Sequence, residues 1–237
     1  MKNEAIVYGD IHGCYNAATR AMELAEELQV PAIFLGDYVD RGPSGIKLLQ
    51  ALMLAKAKHP DWVFLMGNHE QMLMDLIEGR NKPEDIGIVT ISGDKFDYAQ
   101  SEHTYNEWKN LNGEDQRAVV ELIEATKLFH ETQHLIFTHA VLRETGHSID
   151  EKSKEELLWN YKYEPRWPGK RFVHGHMNTN QINLDDKGIN INTACGYGGY
   201  LTGLLISMET ARPTKLFSIS EGGVLWNRAD IQVKENN

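Results

Sequence analysis

Cysteine is scarce in this chain: 237 residues hold two, Cys14 and Cys195. Two thiols cannot build a disulfide framework or a four-cysteine zinc site, and the expected setting is a reduced cytoplasm. Long hydrophobic runs are missing too. No stretch approaches the roughly 20 apolar residues of a membrane span, so no membrane partner is expected. The first residues, MKNEAIVYGD, read as a short strand with acids at both ends and not as a signal peptide. Basic charge is in deficit, with 24 Lys and Arg against 34 Asp and Glu and a formal net charge of −10. Nucleic-acid phosphates need a basic surface, which argues against nonspecific nucleic-acid binding. Nucleotides stay open as ligands, because a metal ion can neutralise an acidic pocket locally.

What is present suits a soluble α/β protein, with 41% hydrophobic and 24% charged residues in a length ordinary for one domain, residues 1 to 237. The first third alternates strand and helix patterns. Strands are expected at residues 5 to 8, 32 to 35 and 62 to 66. Helices are expected at 16 to 29, 43 to 58 and 69 to 78, from apolar positions at helical spacing and from Pro43 as a helix opener. This order predicts a parallel sheet covered by helices. Residues 80 to 131 are polar and read as a helical insertion or cap, with helix candidates at 104 to 110 and 114 to 125. The core resumes with strands at 134 to 138 and 171 to 174 and a helix at 151 to 159. A hairpin around residues 185 to 188 and strands at 201 to 208 and 214 to 219 complete a mainly antiparallel second half.

In five places an apolar strand runs straight into a metal-ligand type of residue: Asp10 with His12, Asp37 with Asp40, Asn68 with His69, His139, and His176. One Asp-x-His after a strand is a turn or helix-cap signal. Five such strand ends are not explained by turns, since each places groups that need partners against an apolar strand. Strand ends of a parallel sheet gather on one edge, where the residues converge. Several carboxylates cannot stay close and ionised without cations between them. A mixed oxygen and imidazole set suits Mn²⁺, Fe²⁺ or Zn²⁺, with Ni²⁺ and Co²⁺ also admitted, better than Ca²⁺. Glycines 9, 36 and 67 stand just before the polar groups, where backbone and ion must approach closely.

The segments GDIHG (9–13), GDYVDRG (36–42) and GNHE (67–70), with the later THA (138–140) and HGH (174–176), closely resemble the phosphoprotein phosphatase branch of the metallophosphoesterases. GNHEQMLMD is similar to the small bacterial and bacteriophage lambda-type serine/threonine phosphatases. The resemblance spans roughly residues 5 to 208 and is weak between 80 and 130. It implies two packed mixed β-sheets flanked by helices, with a site for two divalent ions at one end. It further implies that Asp10 and His12 bind one ion, that Asp37 bridges, and that Asn68, His139 and His176 bind the other. His69 becomes the acid for the leaving oxygen, Asp40 its orienting partner, and Arg41 and Asn68 substrate contacts. Two such ions acidify a shared water and clamp phosphoryl oxygens, and a positioned acid adds about 10²–10⁴-fold. The expected reaction is hydrolysis of phosphomonoesters, phosphoserine or phosphothreonine in proteins first, with dinucleoside polyphosphates as the alternative substrate. A binding module of the same fold is disfavoured, because every ligand type and the acid are in place.

One departure stands out. The lambda-type enzymes carry a second phosphate-binding arginine two residues after a tryptophan, and here Trp159 and Asn160 are followed by Tyr161. The missing charge could come from Lys162, Arg166 or Arg171, or Tyr161 could donate a neutral hydrogen bond, or the substrate could need less clamping. Arg166 is the first candidate, since Pro165 and Pro168 stiffen its loop.

Overall fold

A computed structural model describes residues 3–83, 86–89, 95–141, 154–161, 167, 169–185 and 188–228. The apolar run AIVY forms β1 (Glu4–Tyr8), buried on both faces, and α1 (Tyr15–Leu28) follows with its alanine-rich side inward. Next come β2 (Ala32–Phe34), α2 (Gly45–Lys58), β3 (Val63–Phe64) and α3 (Asn68–Ile77). A two-stranded ribbon, β4 (Ile86–Val89) with β5 (Lys95–Asp97), precedes α4 (Glu102–Lys109) and α5 (Gly113–Glu124). The rest comprises β6 (Phe129–Glu131), β7 (Leu135–Thr138), α6 (Lys154–Trp159), β8 (Arg171–His174), β9 (Asn183–Leu184), β10 (Gly188–Asn190), β11 (Tyr200–Ser207), β12 (Pro213–Ser220) and β13 (Leu225–Arg228).

The strands form two mixed sheets. The first has the order β13-β12-β11-β1-β2-β3, with β1, β2 and β3 parallel and β11 to β13 antiparallel. The second has the order β6-β7-β8-β10-β9, with β7, β8 and β10 parallel. Strand periodicity explains why the runs are continuously apolar. Ala5, Val7, Ile33 and Leu35 face Leu135, Phe137, Val173 and Ile189 between the sheets. Ile6, Tyr8, Ala32 and Phe34 point the other way, onto the helices. Each strand is sandwiched, so neither face can be polar. Among the described residues no helix is long and apolar enough to cross a membrane.

Most expected elements stand within two residues of their places, and the differences have physical causes. β3 is two residues long, not five: Leu65 still donates to the Phe34 carbonyl at 2.9 Å, but its outer side meets the single residue Lys127, whose carbonyl accepts from the Met66 N–H at 2.8 Å. β6 and β13 carry weak patterns because they are sheet edges and largely half-buried or exposed. Within the expected helical insertion, α4 and α5 are present and the ribbon β4–β5 is additional. Val119, Leu122 and Ile123 of α5 lie in the same core as α1 and α2. Asn112 caps α5, its side-chain oxygen accepting from the N–H groups of Glu114 and Asp115.

Ile123 is fully buried in that core. Ile123→Ala is therefore expected to cost about 2–5 kcal/mol of stability, from lost burial plus a residual cavity. Chemical denaturation checks this, and a loss below about 1 kcal/mol would mean that α5 is dispensable to the fold.

Candidate metal and catalytic site

The five motif segments follow the C-terminal ends of β1, β2, β3, β7 and β8, parallel strands of both sheets. The backbone there is strained. Eight described non-glycine residues have positive φ, and five of them are His12, Asp37, Asp40, Arg41 and His176. Each such residue costs of order 1–3 kcal/mol unless its surroundings hold it. The loops after β1 and β2 are cross-tied: Ile11 and His12 donate to the Asp37 carbonyl at 3.0 and 2.8 Å, and Gly13 to that of Tyr38 at 2.7 Å.

Glu70 is the clasp, and the motif reading gave it no role. Its carboxylate, fully buried, accepts the N–H groups of Asp37 (2.8 Å), Gly67 (2.9 Å), Tyr38 (2.7 Å) and Val39 (3.2 Å). Burial and the Asp37 charge push this carboxyl up to about 7, against the pull of the Gly67 and Tyr38 N–H groups. Its signal in the sequence was the third position of a helix that starts after Gly67, where a glutamate reaches back to close the helix N-terminus.

Two glycines make the carboxylates fit. A Cβ on Gly67 would lie 2.2 Å from Asp37 Oδ1, and one on Gly175 would lie 2.0 Å from Asp10 Oδ1. The close approach foreseen at Gly67 is thus made by a carboxylate.

Asp37 stands at the centre. Its Oδ2 is 3.5 Å from His12 Nε2, and its Oδ1 is 3.4 Å from His139 Nε2. Two buried groupings share it: His12, Asp37 and His69 on one side, and Asp37, His139 and His176 on the other. Asn68 Oδ1 lies 2.9 Å from His139 Nε2 and 3.0 Å from His176 Nδ1. His12 Nδ1 faces the Val39 carbonyl at 3.0 Å, and His139 Nδ1 faces that of Leu35 at 2.9 Å. A carbonyl only accepts, so both rings hold their proton on Nδ1 and turn an Nε2 lone pair inward. Burial keeps these rings neutral, pushing His139 down and His12 and His176 well down. His139 Nε2 and Asn68 Oδ1 are then two acceptors at contact distance, an arrangement that a cation satisfies. The donor set fits divalent ions on both sides of Asp37.

Asp10 lies in neither grouping. Its carboxylate oxygens each accept the His176 N–H at 3.1 Å, and Oδ2 also accepts from the Asn192 amide at 2.5 Å. Burial and then the Asp37 charge push the Asp10 carboxyl well up. Burial acts the same way on Asp37, but His139, His69, His12 and Arg41 outweigh it and hold that carboxyl far below its usual range. Asn192 was not singled out in the sequence, where a polar residue just beyond a short strand carries no signal.

His69 Nδ1 is 2.6 Å from Asp40 Oδ2 with both side chains buried. Burial alone would lower the His69 pKa, but the Asp37 and Asp40 carboxylates overcome it and raise it. Asp40 further accepts the hydroxyls of Ser101 and Thr104. The Arg41 guanidinium contacts His12 Nε2 and lies 4.5 Å from the centre of the Tyr197 ring. A cavity of about 230 Å³ opens over Asp37, Asn68, His69 and His176, with Arg41, Tyr161 and Tyr197 in its wall. The Tyr161 ring centre is 4.3 Å from that of His176.

Of the replacements weighed for the missing arginine, Tyr161 reaches the cavity. Arg171 begins β8, at the end away from His176, and donates to the Ala211 carbonyl at 3.4 Å. Lys162 and Arg166 lie outside the described residues. His174 is buried with Nδ1 3.1 Å from the Gly175 oxygen, and burial pushes its pKa down to about 4. Cys14 and Cys195 are buried free thiols.

The calcineurin-like phosphoesterase family model matches residues 5–192. Bis(5'-nucleosyl)-tetraphosphatase PrpE [asymmetrical] of Halalkalibacterium halodurans is 25% identical over 236 residues, covering 84% of this chain and 88% of that protein. The serine/threonine-protein phosphatase PP2A-like PPG1 of Candida albicans is 41% identical over 106 residues, 41% of this chain and 26% of its own length. In fold the chain is similar to a putative diadenosine tetraphosphatase, with a TM-score of 0.58, 15% identity and coverage of 94% of this chain and 92% of that one. It is also similar to a Saccharomyces cerevisiae protein serine/threonine phosphatase, with a TM-score of 0.56, 14% identity and coverage of 98% and 81%.

Glu70→Gln keeps the shape but turns an amide NH₂ toward backbone donors. The expected loss is about 2–4 kcal/mol of stability, the order for stranding buried donors that had met a charge, together with weaker divalent-ion binding. Denaturant unfolding and ion titration by calorimetry check it. Unchanged values in both would remove Glu70 as the clasp.

Proposed function

Because the chain belongs to the calcineurin-like phosphoesterase family, and so is a metallophosphoesterase hydrolase, we propose that it cleaves dinucleoside polyphosphates or closely related nucleotide esters. The observation that carries this reading is the cavity wall. Arg41 is the one guanidinium there among the described residues, flanked by Tyr161 and Tyr197, whose residues are 44% and 60% exposed. A terminal phosphomonoester brings nearly two negative charges at neutral pH, whereas an internal phosphate of a polyphosphate chain brings about one. A single guanidinium with a neutral hydroxyl suits the second case better, since a charged donor is roughly twice as strong as a neutral one. Exposed aromatic rings beside the phosphate position offer a face for a nucleobase.

Two divalent ions, held on the two sides of Asp37 by His12 and by Asn68, His139 and His176, with Asp10 joining His12 once its carboxylate turns from the His176 N–H and the Asn192 amide, would supply charge stabilisation for the phosphoryl group and acidify water for attack. The chain's own groups do the rest. Arg41 holds phosphoryl oxygens through its planar fork of donors. Asn68 lines the cavity floor beside them. His69, kept in line by Asp40 at Nδ1, presents Nε2 to the leaving oxygen and gives up a proton there.

The second reading, hydrolysis of phosphoserine and phosphothreonine in proteins, is supported by the 41% identity to PPG1. It uses the same ligands and acid, and differs in what lies against the rim.

Protein stripped by a strong chelator is expected to lose turnover and to regain it with added divalent ion, Mn²⁺ most fully. Full activity after stripping would sink the metal dependence. Metal-loaded protein assayed side by side on diadenosine tetraphosphate, a phosphopeptide and p-nitrophenyl phosphate is expected to show its highest kcat/KM on the dinucleotide. Higher kcat/KM on the phosphopeptide would select the second reading. Tyr197→Ala should raise KM for the dinucleotide about 5–10-fold, the equivalent of one aromatic stack, and leave KM for p-nitrophenyl phosphate nearly unchanged.

A further inference from the structure

The segment that looked like a cap in the sequence reaches the acid pair. Ser101 closes a 3-10 turn (Tyr98–Ser101), and Thr104 sits in the first turn of α4. Both are buried, at 0% and 1% exposure, like Asp40 at 1%. The Thr104 hydroxyl donates to Asp40 Oδ1 at 2.7 Å, and the Ser101 hydroxyl donates to Oδ2, which also takes the His69 Nδ1 proton. The fit around Thr104 is close. A Cβ on Gly45, at the start of α2, would stand 3.2 Å from Thr104 Cγ2 and 3.3 Å from its Oγ1.

We propose that Ser101 and Thr104 are positioning residues for the acid, holding the Asp40 carboxylate in the plane that aims His69 at the leaving oxygen. With His69 as the only donor, the carboxylate could swing about its side-chain torsions and carry the ring with it. Two hydroxyls on two different oxygens remove that freedom. A misplacement of about 1 Å at reacting groups can cost on the order of 10²-fold in rate. Ser101 and Thr104, both buried beneath the cavity wall, then act on the reaction only through Asp40 and His69. This inference rests on the reading of His69 as the acid of a phosphoric ester hydrolase.

The test compares metal-loaded wild type with Ser101→Ala/Thr104→Ala, Thr104→Val and Thr104→Ser. On an alkyl phosphate, a poor leaving group, the double variant should lose roughly 10–100-fold in kcat. On p-nitrophenyl phosphate, which needs little protonation, it should lose less than about threefold, with KM and bound metal unchanged. Thr104→Val keeps the shape without the hydroxyl and should show the same skew more weakly, whereas Thr104→Ser should retain wild-type behaviour. Equal losses on both substrates, or none, would overturn the proposal. A second measurement does not depend on turnover. Recorded on protein free of paramagnetic ions, the downfield proton resonance of His69 Nδ1–H should be present in wild type and Thr104→Ser and lost to exchange in the double variant, with His69→Asn identifying the signal. Its persistence in a folded double variant would also overturn the proposal. If wild type hydrolyses none of the phosphoric esters, the functional reading fails, while the resonance still decides whether these hydroxyls fix the ring.

Discussion

A cluster of buried acceptors that face one another governs this structure. Asp37 turns one oxygen toward His12 and the other toward His139, and Asn68 turns its oxygen toward His139 and His176. Two of the rings have their protons committed to backbone carbonyls on the far side. Donors reach only part of the set, Arg41 at His12 Nε2 and the His69 N–H at Asp37 Oδ1, and burial raises the cost of every unmet charge. The fold therefore has to hold the cluster against its own repulsion. It does so with two sheets packed face to face, whose parallel strands end at the same place.

The holding devices are backbone devices. Left-handed conformations at His12, Asp37, Asp40, Arg41 and His176 turn the chain sharply enough for consecutive residues to face one centre. Glu70 offsets part of that strain with four N–H contacts, three reaching across from α3 to the loop after β2 and one closing on Gly67. Removing a ligand would change one contact of the centre. Removing Glu70 would loosen Asp37, Tyr38 and Val39 together, and with them both groupings that share Asp37.

Legibility in the sequence followed the range of the interaction. Strand-end motifs could be read because the apolar run, the glycine and the ligand are contiguous, so GDIHG, GDYVDRG and GNHE each carry their own local geometry. The mixed-sheet architecture came with the family resemblance, and the strands of both sheets appear nearly where periodicity put them. Asn192, Ser101 and Thr104 could not be read, because each donates to a carboxylate 182, 61 or 64 residues away, and such a contact leaves no spacing pattern. The role of α5 was hidden differently. Its buried face, Val119, Leu122 and Ile123, is short and set in a polar stretch, and only packing against α2 and α3 reveals it as core. Asp10 was read as a ligand from its motif; in the structure its carboxylate is turned to the His176 N–H and the Asn192 amide.

The same distinction separates the chemistry of this chain from its choice of substrate. The residues proposed as ligands and acid, with Arg41, sit on strand ends and a helix start that the two sheets fix, and in those roles they would suit any phosphoric ester alike. Discrimination needs groups that touch what lies beyond the phosphate, and these come from other places: Tyr161 after α6, and Tyr197 from the turn before β11. Both are partly exposed and meet the centre from outside, Tyr161 against the His176 ring and Tyr197 against the Arg41 guanidinium. A change at the rim therefore costs the centre little. The loss of an arginine at the position of Tyr161 is a change of that kind. It leaves a neutral ring at the rim and every interaction that holds Asp37 in place, and under the proposed function it bears on the choice of phosphate.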